Sequence, residues 1–320
     1  MRRRPAVATL VAAAAVACGG CASVSDRAQE MSLRALDPVL PTVPRPAKPA
    51  PCDDPSLRSL APSPLPRPGH MPAGTFMRRI QDRGRLVVGV DQNSKGLGYF
   101  NPITRRIEGF DIDVADEVAR AIFGTPRVAY FAISTQQRQS VIVNGDVDLV
   151  ASAFSITCGR RRSMLFSSVY HRAQQRLLVP ESSTVRRLSD LRGKKVCATV
   201  GSTSLARLRR EQGVLPRPVL LRSDCLVDLQ EGDVEAITSD DTILFGFRQQ
   251  DRQTRIVGPC LGIEHYGLAI NKAHRPFVRF VNAVLARLRR DGTLQRLREH
   301  WLPGLAPPTA ADIAGCEGGR

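Results

Sequence analysis

The chain has 320 residues, 42% of them hydrophobic, and its 46 lysines and arginines against 30 aspartates and glutamates give a net charge of +16. That length and apolar content exclude a disordered chain and suffice for about two domains or lobes, each with its own core. Aromatic residues make up only 5%, the arginines are scattered in small groups and no finger, RRM or helix-turn-helix pattern occurs, so no nucleic acid is expected as partner; anionic envelope polymers or lipid headgroups suit the charge better.

The chain opens with MRRRPAVATLVAAAAVACGGCASVSD, a basic start, a short apolar run and small residues before a cysteine. This pattern is a secretory signal over residues 1–17, too short to be a membrane span. Its AVAC ending resembles a lipoprotein box with Cys18 as the lipidated residue and Cys21 as the alternative. Export to an oxidising compartment fits the remaining cysteines, Cys52, Cys158, Cys197, Cys225, Cys260 and Cys316, of which six can pair. Residues 36–74 are rich in proline and offer little to bury, which predicts an extended tether, so that 18–75 forms anchor and tether.

From there strand-like and helix-like segments alternate. RLVVGV is followed by a helix over DIDVADEVARAIF with Asp111 placed to cap it, then RVAYFAI, a helix opened by Ser134 and ended by Gly145, and VDLVASAF. The rhythm restarts with KKVCATV, a helix from about Ser204, RPVLLRS, a helix through CLVDLQEG, and VEAITS. Such alternation predicts two α/β lobes with largely parallel sheets. Residues 304–320 lack periodic structure and read as a tail.

NGDVDLVASAFS at 144–155 echoes EGDVEAITSDDT at 231–242, each a glycine-ended helix followed by a short apolar strand. Ligands gather beyond the carboxyl ends of strands in open α/β sheets, so the residues after these two strands are expected to share a cleft. After the first come Ser155, Thr157 and the consecutive Arg160, Arg161 and Arg162; after the second come Asp240 and Asp241. Three adjacent like charges repel, so they are either a solvated face or include one cation turned inward to an anion. A cation on one lobe and a carboxylate on the other suit a zwitterion between them.

GRLVVGVDQN, EGFDIDVADEVA, DLVASAFSIT, FSSVY, DLRGKKVCATVGSTS, EAITSDDTIL and VNAVLARLRRDGTLQRLREHWL together resemble the extracytoplasmic solute-binding proteins of ABC importers, the family specific for polar amino acids. The resemblance spans about residues 76–302. It implies a bilobal periplasmic-binding-protein-like fold of type II: lobe 1 from 76–179 plus 266–303, lobe 2 from 180–265, and two hinge strands near QRLLVP and YGLAIN. It also implies disulfides Cys197–Cys225, Cys52–Cys158 and Cys260–Cys316.

Carried over by motif, the α-carboxylate arginine of the resembled family falls on Arg160, with Ser155 as companion hydroxyl and Ala153 in the same stretch. A guanidinium suits that role because it grips a carboxylate through two parallel hydrogen bonds. The ammonium-binding carboxylate falls on Asp240, and Asp241 is read as a helix cap. Gly201, Ser202 and Thr203 open a helix whose N–H groups favour an anion, and Phe110 would pack over the ligand's aliphatic stem. Arg138 would meet a side-chain carboxylate, with Lys95 as the other cation considered; Asp91 and Tyr99 are further candidates.

The histidines, His70, His171, His265, His274 and His300, are isolated, and no H-x-x-x-H, G-x-S-x-G or P-loop spacing occurs. The expectation is therefore a monomeric binding protein rather than an enzyme, without cofactor or metal, lipid-anchored on the outer face of the cell membrane. Its ligand would be glutamate or aspartate, then glutamine or asparagine, handed to ABC permease subunits. The same fold also serves sensors that present a ligand to a membrane signalling receptor, and some dehydratases.

Overall fold

The computed structural model describes residues 57–318; Cys18, Cys21, Cys52, the signal and most of the tether lie outside the described residues. Helix α1 (Phe76–Arg83) leads to β1 (Leu86–Val90), a small sheet of β2 (Asn93–Ser94), β3 (Gly98–Asn101) and β4 (Arg106–Glu108), then α2 (Phe110–Phe123), β5 (Val128–Ala132), α3 (Arg138–Asn144), β6 (Leu149–Ala151), α4 (Cys158–Arg161) and β7 (Met164–Phe166). There follow β8 (His171–Pro180), β9 (Lys195–Thr199), α5 (Thr203–Leu208), β10 (Leu215–Val219), α6 (Arg222–Gln230), β11 (Ala236–Asp240), α7 (Asp241–Gln250) and β12 (Thr254–Tyr266). The chain ends with β13 (Ala269–Asn271), α8 (Arg275–Arg290), α9 (Thr293–Trp301) and α10 (Ala310–Gly318).

Two five-stranded sheets result, in the orders β5-β1-β6-β13-β7 and β10-β9-β11-β8-β12, each the centre of one lobe of a bilobal α/β fold. In the first, α2 buries Val114, Ala115, Val118, Ala119 and Ile122, the spacing of one helical face. Helix α8 does the same with Phe277, Phe280, Val281, Val284, Leu285 and Leu288, each such side chain contributing about 1.5–3 kcal/mol on burial. Glycine is required at 109, before α2: its φ is 140°, and a Cβ would stand 2.3 Å from the Leu97 carbonyl oxygen.

Several expectations are corrected. The sheets are mixed rather than largely parallel: β1 runs parallel to β5 and β6, but β8 is antiparallel to β11 and β12 and β13 to β6 and β7. Strands beside the crossings run back against their neighbours. The first lobe was expected to extend to 179, yet β8 pairs along its length within the second sheet. The chain therefore changes sheet before His171, and crosses back between Tyr266 and Ala269. These crossings lie side by side, with the Ser167 N–H donating to Leu268 O at 2.9 Å and the Tyr170 N–H to Tyr266 O at 2.9 Å.

The end of the expected tether is strapped to the first lobe. Asn282 Nδ2 donates to Ser59 Oγ at 2.8 Å and Leu60 O at 2.6 Å, Ser59 Oγ donates to Phe166 O at 2.7 Å, and Met71 is buried. Leu60, Leu65 and Met71 give this stretch apolar anchors that its proline content conceals. The tail, expected to lack periodicity, contains α10. Its start is a capping pair within TAAD: the Asp312 N–H donates to Thr309 Oγ1 at 3.2 Å and the Thr309 N–H to Asp312 Oδ2 at 2.8 Å.

Disulfides join Cys197 of β9 to Cys225 of α6 and Cys260 of β12 to Cys316 of α10. Cys158 is also disulfide-bonded, while its expected partner Cys52 lies outside the described residues. No helix of the described residues is long and apolar enough to cross a membrane.

Candidate ligand-binding site

The carboxyl ends of β1, β6, β9 and β11 converge between the lobes, and each sequence there departs from regular structure. After β6, Ala153 adopts a left-handed φ of 44°, which costs a non-glycine residue about 1–2 kcal/mol. Asp111 holds it: the Ala153 N–H donates to Asp111 Oδ2 at 2.7 Å and the Tyr170 hydroxyl to Asp111 Oδ1 at 2.6 Å. Asp111 was expected to cap α2, but Gly109 occupies the N-cap. Burial pushes the Asp111 carboxyl up to about 6.

Arg138 lies at the start of α3, 2% exposed. Its Nε donates to Thr135 O at 2.9 Å, Nη1 to Ser152 O and Ala153 O at 3.0 Å each, and Nη2 to Gly201 O at 3.2 Å. Arg160, on α4, donates from Nη1 to Ser155 O at 2.6 Å and from Nη2 to the same Gly201 O at 2.9 Å. Both guanidiniums lie against Phe154, 4.3 and 4.7 Å from its ring centroid, where the π face partly offsets their repulsion. Burial pulls Arg138 well below its ordinary value, helped by nearby Arg160 and Arg222, and pulls Arg160 to about 10. Neither has a carboxylate ion pair among the described residues; both spend their donors on carbonyls.

From the second lobe, Gly201 must be glycine for closure: its φ is 80° and a Cβ would stand 2.9 Å from Gln136 Cα. Ser202 caps α5, its Oγ accepting from the Leu205 N–H at 3.0 Å. Asp240 is buried, accepts the Tyr266 hydroxyl, and has its carboxyl raised by burial against the opposing pull of that bond and of Arg222, Arg138 and Arg160. The expected cap role of Asp241 is corrected: Asp240 stands at the N-cap of α7, and the Asp241 carboxyl, whose Oδ1 has no hydrogen-bond partner among the described residues, is pushed up to about 7 by burial.

With the lobes shut these groups leave about 10 Å³ between them, room for about one water, lined by Arg138, Ala153, Ser155, Ser202, Thr203 and Asp240 among others. Of the residues singled out in the sequence, Arg160 and Gly201 line the adjoining pocket together with Ser202, Thr203 and Glu264, and Phe110 and Lys95 reach neither. Phe110 is fully buried in the first-lobe core, its ring 5.8 Å from that of Tyr170. Lys95 faces the outside with Phe245 and Arg248, because the β2–β4 sheet carries it past the cleft and onto Gly246 of α7. Tyr99, paired in β3, is not a lining residue either. Asp91 meets the cleft through Arg222, which donates from Nη1 to Asp91 Oδ2 at 2.9 Å.

Two residues escaped sequence reasoning. Arg222 lines the cavity; its position directly after β10, at a strand's carboxyl end, was the available signal. Glu264 of β12 is buried near the mouth beside Thr203, with its carboxyl pushed up to about 7 by burial and by Asp240. Its inward alternation within GIEHY was the signal there.

The arrangement presents two guanidiniums without carboxylate partners and, opposite them, a buried carboxylate. Once the lobes part to admit it, such a set of groups suits a small zwitterion carrying extra negative charge. Residues 86–304 match the model of the family described as bacterial extracellular solute-binding proteins, family 3. Similar curated proteins include the ABC transporter glutamine-binding protein GlnH of Bacillus subtilis, 31% identical with 70% of this chain and 83% of that protein covered. The glutamate-binding protein GluB of Corynebacterium glutamicum is 34% identical, with 69% and 79% covered. Among solved structures, a mutant of ArgBP from T. maritima superposes with a TM-score of 0.66 at 25% identity, covering 70% of this chain and 98% of that one.

Proposed function

Because the chain belongs to the bacterial extracellular solute-binding proteins of family 3, a family of binding proteins rather than enzymes, we propose that it closes on a free polar L-amino acid, glutamate or aspartate ahead of glutamine or asparagine, and delivers it to an ABC importer. The observation that carries the acidic preference is the pair of guanidiniums, Arg138 buried and Arg160 half-buried, bonded among the described residues only to carbonyls. A buried cation without an anion is costly, and an entering carboxylate relieves that cost.

In this reading the α-carboxylate lies on Arg160 and Ser155, the ammonium on Asp240 and the side-chain carboxylate on Arg138. The Gly201 carbonyl, which now takes one N–H from each arginine, gives up these bonds to the ligand. Glutamine-binding and glutamate-binding relatives support the amino-acid class. Calorimetry of the purified protein against glutamate, aspartate, glutamine, asparagine and arginine tests it. Tightest binding of an acidic ligand is expected; tightest binding of arginine, or of none, overturns it.

The protein would act as a monomer held on the outer face of the membrane through Cys18, a diacyl-type anchor being strong enough. Cys18→Ser should release it from the membrane fraction; continued association would move the anchor to Cys21 or discard it.

A further inference from the structure

Arg222 begins α6 in the second lobe and is 4% exposed, yet every hydrogen bond of its guanidinium goes to the first lobe. Its Nη1 donates to Asp91 Oδ2 and Ser94 Oγ at 2.9 Å each, its Nε to Thr135 Oγ1 at 3.1 Å and its Nη2 to Ser152 O at 3.3 Å. These acceptors come from the end of β1, from β2, from the approach to α3 and from the loop after β6. The contacts therefore exist only while the lobes are shut.

Both partners are held ready. Cys225, one turn along α6, is bonded to Cys197 of β9, which fixes the base from which Arg222 reaches. Asp91 Oδ1 accepts the Asn93 N–H at 3.1 Å, and Asp91 Oδ2 accepts Ser94 Oγ at 2.5 Å. Little side-chain freedom remains to be lost on pairing. Unlike Arg138 and Arg160, Arg222 has its charge matched by a buried carboxylate at 2.9 Å, so a ligand anion gains less from it than from either of the others.

We propose that Arg222 is a positioning residue for the binding site: by pairing with Asp91 across the cleft it sets how much of the unliganded protein is already closed, and through that fraction the affinity for acidic and amide ligands alike. The Coulombic gain of a buried pair is nearly offset by desolvation of both charges, so such a pair holds a closure close to balance that a ligand then tips. Removing one partner leaves the other charge buried without compensation whenever the lobes shut. Apparent affinity falls in proportion to the closed fraction, about tenfold or more. The affinity arm rests on the amino-acid reading above; the closure arm does not.

Closure is read by hydrogen–deuterium exchange of the full chain without ligand, in peptides covering residues 133–156 and 199–206. Arg222→Met and Asp91→Asn should each speed exchange in both peptides, with L-glutamate at saturation restoring protection. By calorimetry each variant should weaken L-glutamate and L-glutamine by the same factor, and the double variant should be no weaker than the worse single one, the mark of a coupled pair. Thr135→Val, which deletes one neutral acceptor, should shift exchange in the same direction by less, and it decides the question if Arg222→Met does not fold. Unchanged exchange in the unliganded variants overturns the latch. So does weakening confined to glutamate, which would make Arg222 a direct ligand contact, or an additive double variant. A wild-type protein that binds neither probe overturns the amino-acid reading while the exchange measurement still decides the latch.

Discussion

Arg138→Gln tests the acidic preference at the residue that carries it. The substitution has two separable costs. One is common to all ligands: four donations to the Thr135, Ser152, Ala153 and Gly201 carbonyls are lost or shortened, and the loop around Ala153, already at a φ of 44°, loses its main support beside Asp111. The other falls only on a ligand with a side-chain carboxylate. A charge-assisted bond is worth about 1.5–3 kcal/mol and a neutral one about 0.5–1.5 kcal/mol, so glutamate should lose about 1–2 kcal/mol more than glutamine, roughly five- to thirtyfold in affinity. The assay is calorimetry of both ligands on wild type and variant, from one preparation at one salt concentration. The quantity that matters is the ratio of the two affinity losses, from which the common loop cost cancels. A ratio within about twofold of unity would refute the reasoning, since a residue whose role is only to prop the loop treats both ligands alike.

Arg160→Ala and Asp240→Asn should each lower affinity for every amino acid by about two decades or more at unchanged melting temperature, because each strands a desolvated ligand charge; near wild-type binding in either removes that residue from the site. Glu264→Gln should flatten the pH dependence of stability. The Glu264 carboxyl is raised from 4.5 to about 7, so its protonated form favours the fold fully below pH about 4.5 and that contribution, about 3 kcal/mol, is lost as pH climbs through 7; calorimetric melting at pH 5 and 8 should show a smaller difference in the variant. Breaking Cys197–Cys225, which closes a separation of 28 residues, should cost about 3 kcal/mol in denaturant unfolding and also weaken ligand binding by loosening α6 under Arg222; lost stability with intact affinity would detach the two effects.

The alternation of elements was legible from its 3.6-residue and 2-residue periods, and the places of Ser155, the arginine run and Asp240 from their position after a strand's carboxyl end, whereas Arg138, and Arg160 within its run, were singled out only by the family resemblance. What escaped depends on contacts between lobes or on exact direction. Arg222 is one cation in a chain with 46 lysines and arginines, and its partner Asp91 is 131 residues away, so no local pattern marks it. Lys95 shared the favourable place after β1, but three short strands turn it outward. Asp111 looked like a cap because acidic residues cluster in first turns; the positive φ at Gly109 rotates the helix entry so that the carboxylate faces Ala153 and Tyr170 instead. Leader and tail misled for the same reason: composition reports how little a segment can bury alone, not what a neighbouring lobe offers it.

The three arginines of the cleft divide two tasks that a closing receptor must keep apart. Arg222 is neutralised by Asp91, so shutting the lobes on nothing brings a matched pair together at little net gain or loss. Arg138 and Arg160 are bonded to carbonyls, which satisfy their hydrogens but leave both charges uncancelled beside the same phenyl ring. The electrostatic strain of closure is thus concentrated where a ligand's carboxylates would lie. Had all three been paired internally, no uncancelled charge would remain for a ligand to relieve and closure would scarcely respond to it; had none been, closure would demand more than one small anion can return. A replacement that supplies an internal carboxylate near Arg138, such as Ala153→Asp, would on this argument close the empty protein and abolish its response to acidic ligands together, because the guanidinium that a ligand now relieves would already be satisfied.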